Sequence, residues 1–265
     1  MNQNEVIKDL ENVIDDKNIK LEELENKLKE AENKLDDINN INNDLEIDEK
    51  LYNSYENIIK IELKTKKNNK KVKIINSNLF NKNNSILYIN KNKTIFNNKI
   101  VFEKIGNYKL VLLNKNKLEN LRGLFKNCKE INKIIFYKIN TRNIKSMDYM
   151  FSGCENLTTI DVSNFKTENV ESMNYMFDGC KNLTTVNVSK FNTENVRNMN
   201  NMFNDCKKLT TIDVSKFNTE KVEFMNKMFS GCENLKNIDV SKKNEKNFKN
   251  IFNEDELKNI NLNIK

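Results

Sequence analysis

The chain has 265 residues, 37% hydrophobic and 31% charged, with a formal net charge of +7, no His, Pro or Trp, and 5 Gly. Without His there is no Ser-His-Asp or Cys-His catalysis of the usual kind and no His-containing zinc site, and five scattered Gly cannot make a phosphate-cradling loop. The 54 Asn, 42 Lys and 27 Ile match the bias of an AT-rich coding sequence as much as a functional signal.

The charge is blocked. Residues 1–60 hold 8 Lys against 17 acids, residues 61–120 hold 14 Lys against 3 acids, and residues 121–265 hold 23 Lys and Arg against 18 acids. Three charge regimes predict three units. These are a helical unit over 1–63 (with a second helix at 49–63 as an option), a Lys-rich linker and small antiparallel β cap over 64–118, and a repeat domain over 119–265.

Residues 6–48 carry a heptad pattern. Ile7, Ile14, Leu21, Leu28, Leu35 and Asn42 occupy position a, and Leu10, Lys17, Leu24, Ala31, Ile38 and Leu45 occupy position d. Such a seam on a charged helix wants a partner helix. In a parallel homodimer Lys20 meets Glu25 and Lys27 meets Glu32 of the second chain, whereas an antiparallel one opposes like charges. The expectation is a dimer seam of Ile14, Leu21, Leu24, Leu28, Leu35, Ile38 and Asn42. The alternative is an intramolecular hairpin through Leu51, Tyr52, Tyr55, Ile58 and Ile59.

The run KTKKNNKKVK opens the middle block. Short β-type runs follow at 72–75, 85–89, 99–105 and 108–113, and Gly106-Asn107 suits a hairpin turn. Lys66, Lys67, Lys70 and Lys71 are candidates for a polyanion such as RNA, DNA or anionic lipid. The competing reading is a solvated linker, because no Arg and no interleaved aromatics are present to stack bases.

Residues 121–262 repeat with a period of 26, marked by Cys128, Cys154, Cys180, Cys206 and Cys232. Successive units read MDYMFSGCENLTTIDVSNFKTENVES and MNYMFDGCKNLTTVNVSKFNTENVRN. About five full units with atypical ends predict a stack in which each buries its apolar face on its neighbours. Leu157, Ile160 and Val162 have the spacing of a leucine-rich repeat strand. Met173, Met176 and Phe177 fall at i, i+3 and i+4, which predicts a short helix. Ser146, Ser172 and Asn198 suit its N-cap, and Asn127, Gly153, Gly179, Asp205 and Gly231 tolerate the left-handed conformation that ends it. The expected fold is therefore an α/β leucine-rich repeat solenoid with one short strand and one short helix per repeat. A small β region and an N-terminal coiled-coil helix would precede it.

On such strands the outward positions form a concave ladder. It comprises Thr159, Asp161, Ser163, Thr185, Asn187, Ser189, Thr211, Asp213, Ser215, Asn237, Asp239 and Ser241, the candidate partner-binding face. One Asp per strand does not converge on a cation. The five Cys read as free thiols packed in a structural core column, and the Met stripes as core.

These repeats resemble the BspA-type leucine-rich repeat proteins, in the branch with units of the form MxxMFxxCxxLxxIDVSxFxTxNV. The resemblance implies a curved solenoid without enzymatic activity, of a kind often displayed on cell surfaces and implicated in adhesion. The chain departs from it at Phe165, Phe191 and Phe217, where the family often has Trp, and in lacking Pro.

The expected function is a non-enzymatic protein–protein interaction module, dimerised by its coiled coil, needing no cofactor or metal and binding an unidentified protein partner. An exported surface adhesin and a polyanion binder are the alternatives. No apolar run approaches the ~20 residues of a membrane span. The N-terminus lacks a basic head followed by an apolar stretch. Together with the odd number of thiols this predicts a cytoplasmic location, the cell surface being the family-based alternative.

Overall fold

The computed structural model describes residues 20–29, 31, 32, 35, 36, 39, 49–76, 80–249, 251, 252 and 259–265. The chain divides into two compact units, Met1–Tyr52 and Asn53–Lys265.

In the first unit residues 20–29 are helical. Leu21, Leu24, Leu28 and Leu35 are 55–61% exposed. The coiled-coil expectation is corrected here: an a/d stripe buries only against a second helix, and no such packing exists among the described residues of this unit. Ile14, Ile38 and Asn42 lie outside the described residues. The second helix is confined to Glu49–Asn53.

The second unit is mostly β-sheet. Its strands are β1 (Asn57–Thr65), β2 (Lys70–Lys73), β3 (Ser85–Ile89), β4 (Asn92–Thr94), β5 (Lys99–Phe102), β6 (Gly106–Asn114), β7 (Ile131–Lys138), β8 (Thr159–Ile160), β9 (Thr185–Val186), β10 (Thr211–Asp213), β11 (Asn237–Val240) and β12 (Asn261–Ile264). One sheet runs β4-β3-β6-β1-β7-β8-β9, a second runs β10-β11-β12, and β2 pairs with β5.

The Ile-rich β1 is the hinge of this topology, and it takes Ile58 and Ile59 out of the helix considered for 49–63. It pairs antiparallel with β6 from Asn57↔Asn114 to Thr65↔Gly106, and on its other edge antiparallel with β7. Ile58, Ile59 and Ile61 are fully buried. From β7 onward the pairing becomes parallel, Lys133↔Thr159↔Thr185. The antiparallel region and the first repeats thus share one sheet, so the repeat edge at β7 meets a paired strand instead of water.

The helix expected in each repeat does not form. Residues 174–179 are turns. Their amides alternate between local bonds, such as Met176 to the Met173 carbonyl (3.2 Å), and bonds to the next repeat, such as Phe177 to the Met202 carbonyl (2.8 Å). Two left-handed residues per unit break any helix. One is Tyr149, Tyr175, Asn201 or Lys227 (φ 53–57°), and the other, four residues on, is Gly153, Gly179, Asp205 or Gly231. Ser146, Ser172 and Asn198 are not caps but link to one another and to Phe224 as parallel bridges. The second unit is therefore a β-and-turn stack, with α-helix at the five-residue Glu245–Lys249 and not within the central repeats; it is not a helix-per-repeat α/β solenoid.

The core follows the period. Phe125, Phe151, Phe177, Phe203, Phe229 and Phe252 form one continuous ring stack with centroids 5.3–5.9 Å apart. Met147, Met150, Met173, Met176, Met199, Met202 and Met228 are fully buried. In the Phe column each ring thus packs on its counterpart in the next unit.

Candidate binding surface

The outward residues of β8 to β11 stand on one face because side chains alternate across a strand. Thr159, Thr185 and Thr211 are exposed, as are Asp161 and Asn187, while Asp213, Asn237 and Asp239 are half-buried. Thr185, Asn187, Thr211, Asp213, Asn237 and Asp239 together line a groove of about 490 Å³, with Asn263 at its far side. It lies over the junction between β9 and β10, which belong to different sheets.

The serines of the predicted ladder do a different job. The amides of Ser163, Ser189 and Ser215 donate to the carboxylate or carboxamide oxygens of Asp161, Asn187 and Asp213 (2.9–3.0 Å). These bonds close the turns after β8, β9 and β10, and Ser163, Ser189 and Ser215, like Ser241 beyond β11, are half-buried and stand outside the groove.

One cation enters the groove. Lys265 Nζ lies 3.0 Å from Asp213 Oδ2 and 2.7 Å from Asp239 Oδ2. The Lys265 ammonium, with the Asn263 carboxamide, holds Asp239 below the usual carboxylate range. Burial works to raise Asp213, but bonds from Ser215 and Lys265 outweigh it and leave its carboxyl lowered as well.

The five cysteines are free, and all but the half-buried Cys232 are fully enclosed. Each thiol from Cys154 to Cys232 donates to the carbonyl of the Phe 29 residues earlier, at 3.0–3.2 Å. Burial pushes the thiols up, Cys232 to about 12. This is the opposite of the environment that activates a nucleophilic cysteine.

Three further ladders were not anticipated from the sequence. Thr141, Thr167 and Thr193 are buried, and each hydroxyl donates to the carbonyl 25 residues ahead (2.9–3.0 Å) while accepting that same residue's amide. Asn169 and Asn195 donate through Nδ2 to the Arg142 and Glu168 carbonyls (2.7 and 2.8 Å). Asn182 and Asn234 do the same to Glu155 and Lys207 (2.8 and 2.7 Å). The signal was present as Thr and Asn columns at the repeat period. Part of the Asn excess is therefore structural and not compositional.

Of the middle-block lysines, Lys70 pairs with Glu130 at 3.2 Å. Lys66, Lys67 and Lys71 are exposed. Among the described residues no group of three or more Cys, Asp or Glu is arranged to hold a metal ion. No helix among them is long and apolar enough to cross a membrane.

In-register units, joined by ring stacking and side-chain ladders and carrying a groove of mixed polar and apolar lining on the strand face, define a β-rich repeat protein. The chain belongs to the family described as Mycoplasma protein of unknown function, DUF285, which it matches twice, over residues 68–187 and 156–264. No curated protein and no solved structure matches the chain.

Proposed function

We propose that the chain is a non-enzymatic binding protein that takes a protein segment across the strand-face groove. The observation that carries this reading is the groove itself, in which short polar side chains from three successive repeats are set beside Val186 and Ile212 and Asp213 and Asp239 lie next to a lysine ammonium. Short polar side chains leave backbone and carboxylates within reach of a partner, and a Lys or Arg of that partner can replace Lys265. The raised thiols speak against a Cys nucleophile. The resemblance of the repeats to the BspA-type branch supports binding over catalysis and extends to adhesion at a cell surface, which protease treatment of intact cells would check. The direct test places a photo-crosslinking residue at Thr185 and, separately, at the exposed Glu220 outside the groove. Partner adducts concentrated at Thr185 are expected, and equal yields at the two positions would sink the reading.

A further inference from the structure

We propose that the outer face of the β2–β5 ribbon docks on an anionic lipid surface. The face is defined by register. Lys71 lies opposite Val101, and Lys73 opposite Lys99, so these four share one side. The other side carries Val72 and Phe102, which are buried in the core. The adjoining loop adds Lys66 and Lys67. Ile105 is pinned there, because its amide donates to Asn68 Oδ1 at 3.0 Å while Thr65 pairs with Gly106.

Two properties of this face point to lipid. Lys66, Lys67, Lys71, Lys99 and Lys104 are exposed, and Glu103 is the only acid between residues 63 and 118. Set among them, Val101 is 55% and Ile105 58% exposed. Lysines reach the phosphates of a headgroup layer while aliphatic side chains enter the acyl boundary. Nucleic acid would need a flat surface for its bases. The nearby aromatic, Tyr108, packs on Phe102 with centroids 4.3 Å apart and donates its hydroxyl to the Lys104 carbonyl (2.8 Å), so it is committed to the fold.

The test is co-sedimentation of the full chain with phosphatidylcholine vesicles, with and without phosphatidylglycerol. Binding is expected only with phosphatidylglycerol, and it should weaken as salt is raised. The Lys66→Gln, Lys67→Gln, Lys71→Gln triple variant should bind roughly a hundredfold more weakly. The Val101→Ser, Ile105→Ser double variant keeps every charge and should lose roughly tenfold. Circular dichroism checks that both fold, and Lys99→Gln with Lys104→Gln supplies a second charge variant. No binding to the anionic vesicles, equal binding to both vesicle types, or full binding by the Val101/Ile105 variant would overturn the proposal. Single-stranded RNA that displaces the vesicles, and binds the Val101/Ile105 variant as well as it binds the parent, would reassign the face to nucleic acid.

Discussion

Phe177 and Phe203, one repeat apart, stack with ring centroids 5.3 Å apart and planes 3° from parallel. Each is fully buried and lies mid-column, so truncation opens a cavity flanked by two rings that cannot close on each other. Phe177→Ala is expected to cost about 3–5 kcal/mol, and Phe177→Leu distinctly less. Urea unfolding of the two variants measures the difference, and equal losses would mean that the column is not a packed stack.

The fully enclosed thiols should be silent in the folded protein. A thiol-reactive reagent at pH 8 is expected to reach the half-buried Cys232 first, and Cys154, Cys180 and Cys206 only on unfolding. Mass spectrometry of partly labelled protein reads the order. Rapid native labelling of Cys180 would contradict its enclosure.

The left-handed glycines are not equivalent. A Cβ on Gly231 (φ 73°) runs into the Asp205 carboxylate, whereas one on Gly179 (φ 68°) meets only Gly153 backbone at 3.6 Å. Gly179→Ala is expected to cost about 1–2 kcal/mol, from the backbone alone. Gly231→Ala should cost more, and Asp205→Gly should remove the excess. Thermal unfolding of the single and double variants decides.

Thr167 tests the buried hydroxyl ladder. Its Oγ1 donates to the Asn192 carbonyl at 3.0 Å and accepts the Asn192 amide at 2.7 Å. Thr167→Val removes the partner of both Asn192 backbone groups at a part-buried site and should cost about 1 kcal/mol. Thr167→Ser keeps the bonds and should lose only the methyl, about 0.8 kcal/mol. If Val were the better substitute, the hydroxyl would not be joining the repeats.

The groove carboxylates set a pH dependence. Asp213 and Asp239 have lowered folded pKa values, so their stabilisation is present above the ordinary carboxylate pKa and is lost as pH falls through the lowered values. Lys265 is raised, chiefly by its bond to Asp239 and then by that to Asp213, so its contribution is lost as pH climbs through the raised value. Lys265→Gln should lift both carboxyls toward the ordinary range and move the acid-unfolding midpoint to higher pH. Carboxyl titration by NMR would show whether they move.

Burial was legible residue by residue through the central repeats, and loosens in the last one, where Val222, Met225 and Cys232 are only half-buried. Cys180, Met176, Phe177 and Leu183 sit in the core because apolar positions that recur at the repeat period are covered by the neighbouring units of the stack. The outward placement of Thr185, Asn187 and Asp213 followed from strand alternation. The joining of six of these side chains into a groove did not, since it depends on the junction of β9 with β10.

The sequence by itself determined the repeat, its register, its buried columns and the blocked charge. Only the tertiary structure decided the local conformation between Met173 and Cys180. Apolar residues at i, i+3 and i+4 satisfy a helix, but they equally satisfy paired turns with a left-handed residue between them, and both put Met173, Met176 and Phe177 inward. The choice rests on where the amides find carbonyls. Those of Met173, Tyr175, Phe177 and Gly179 bond to the next repeat, and that partner exists only once the repeats have stacked.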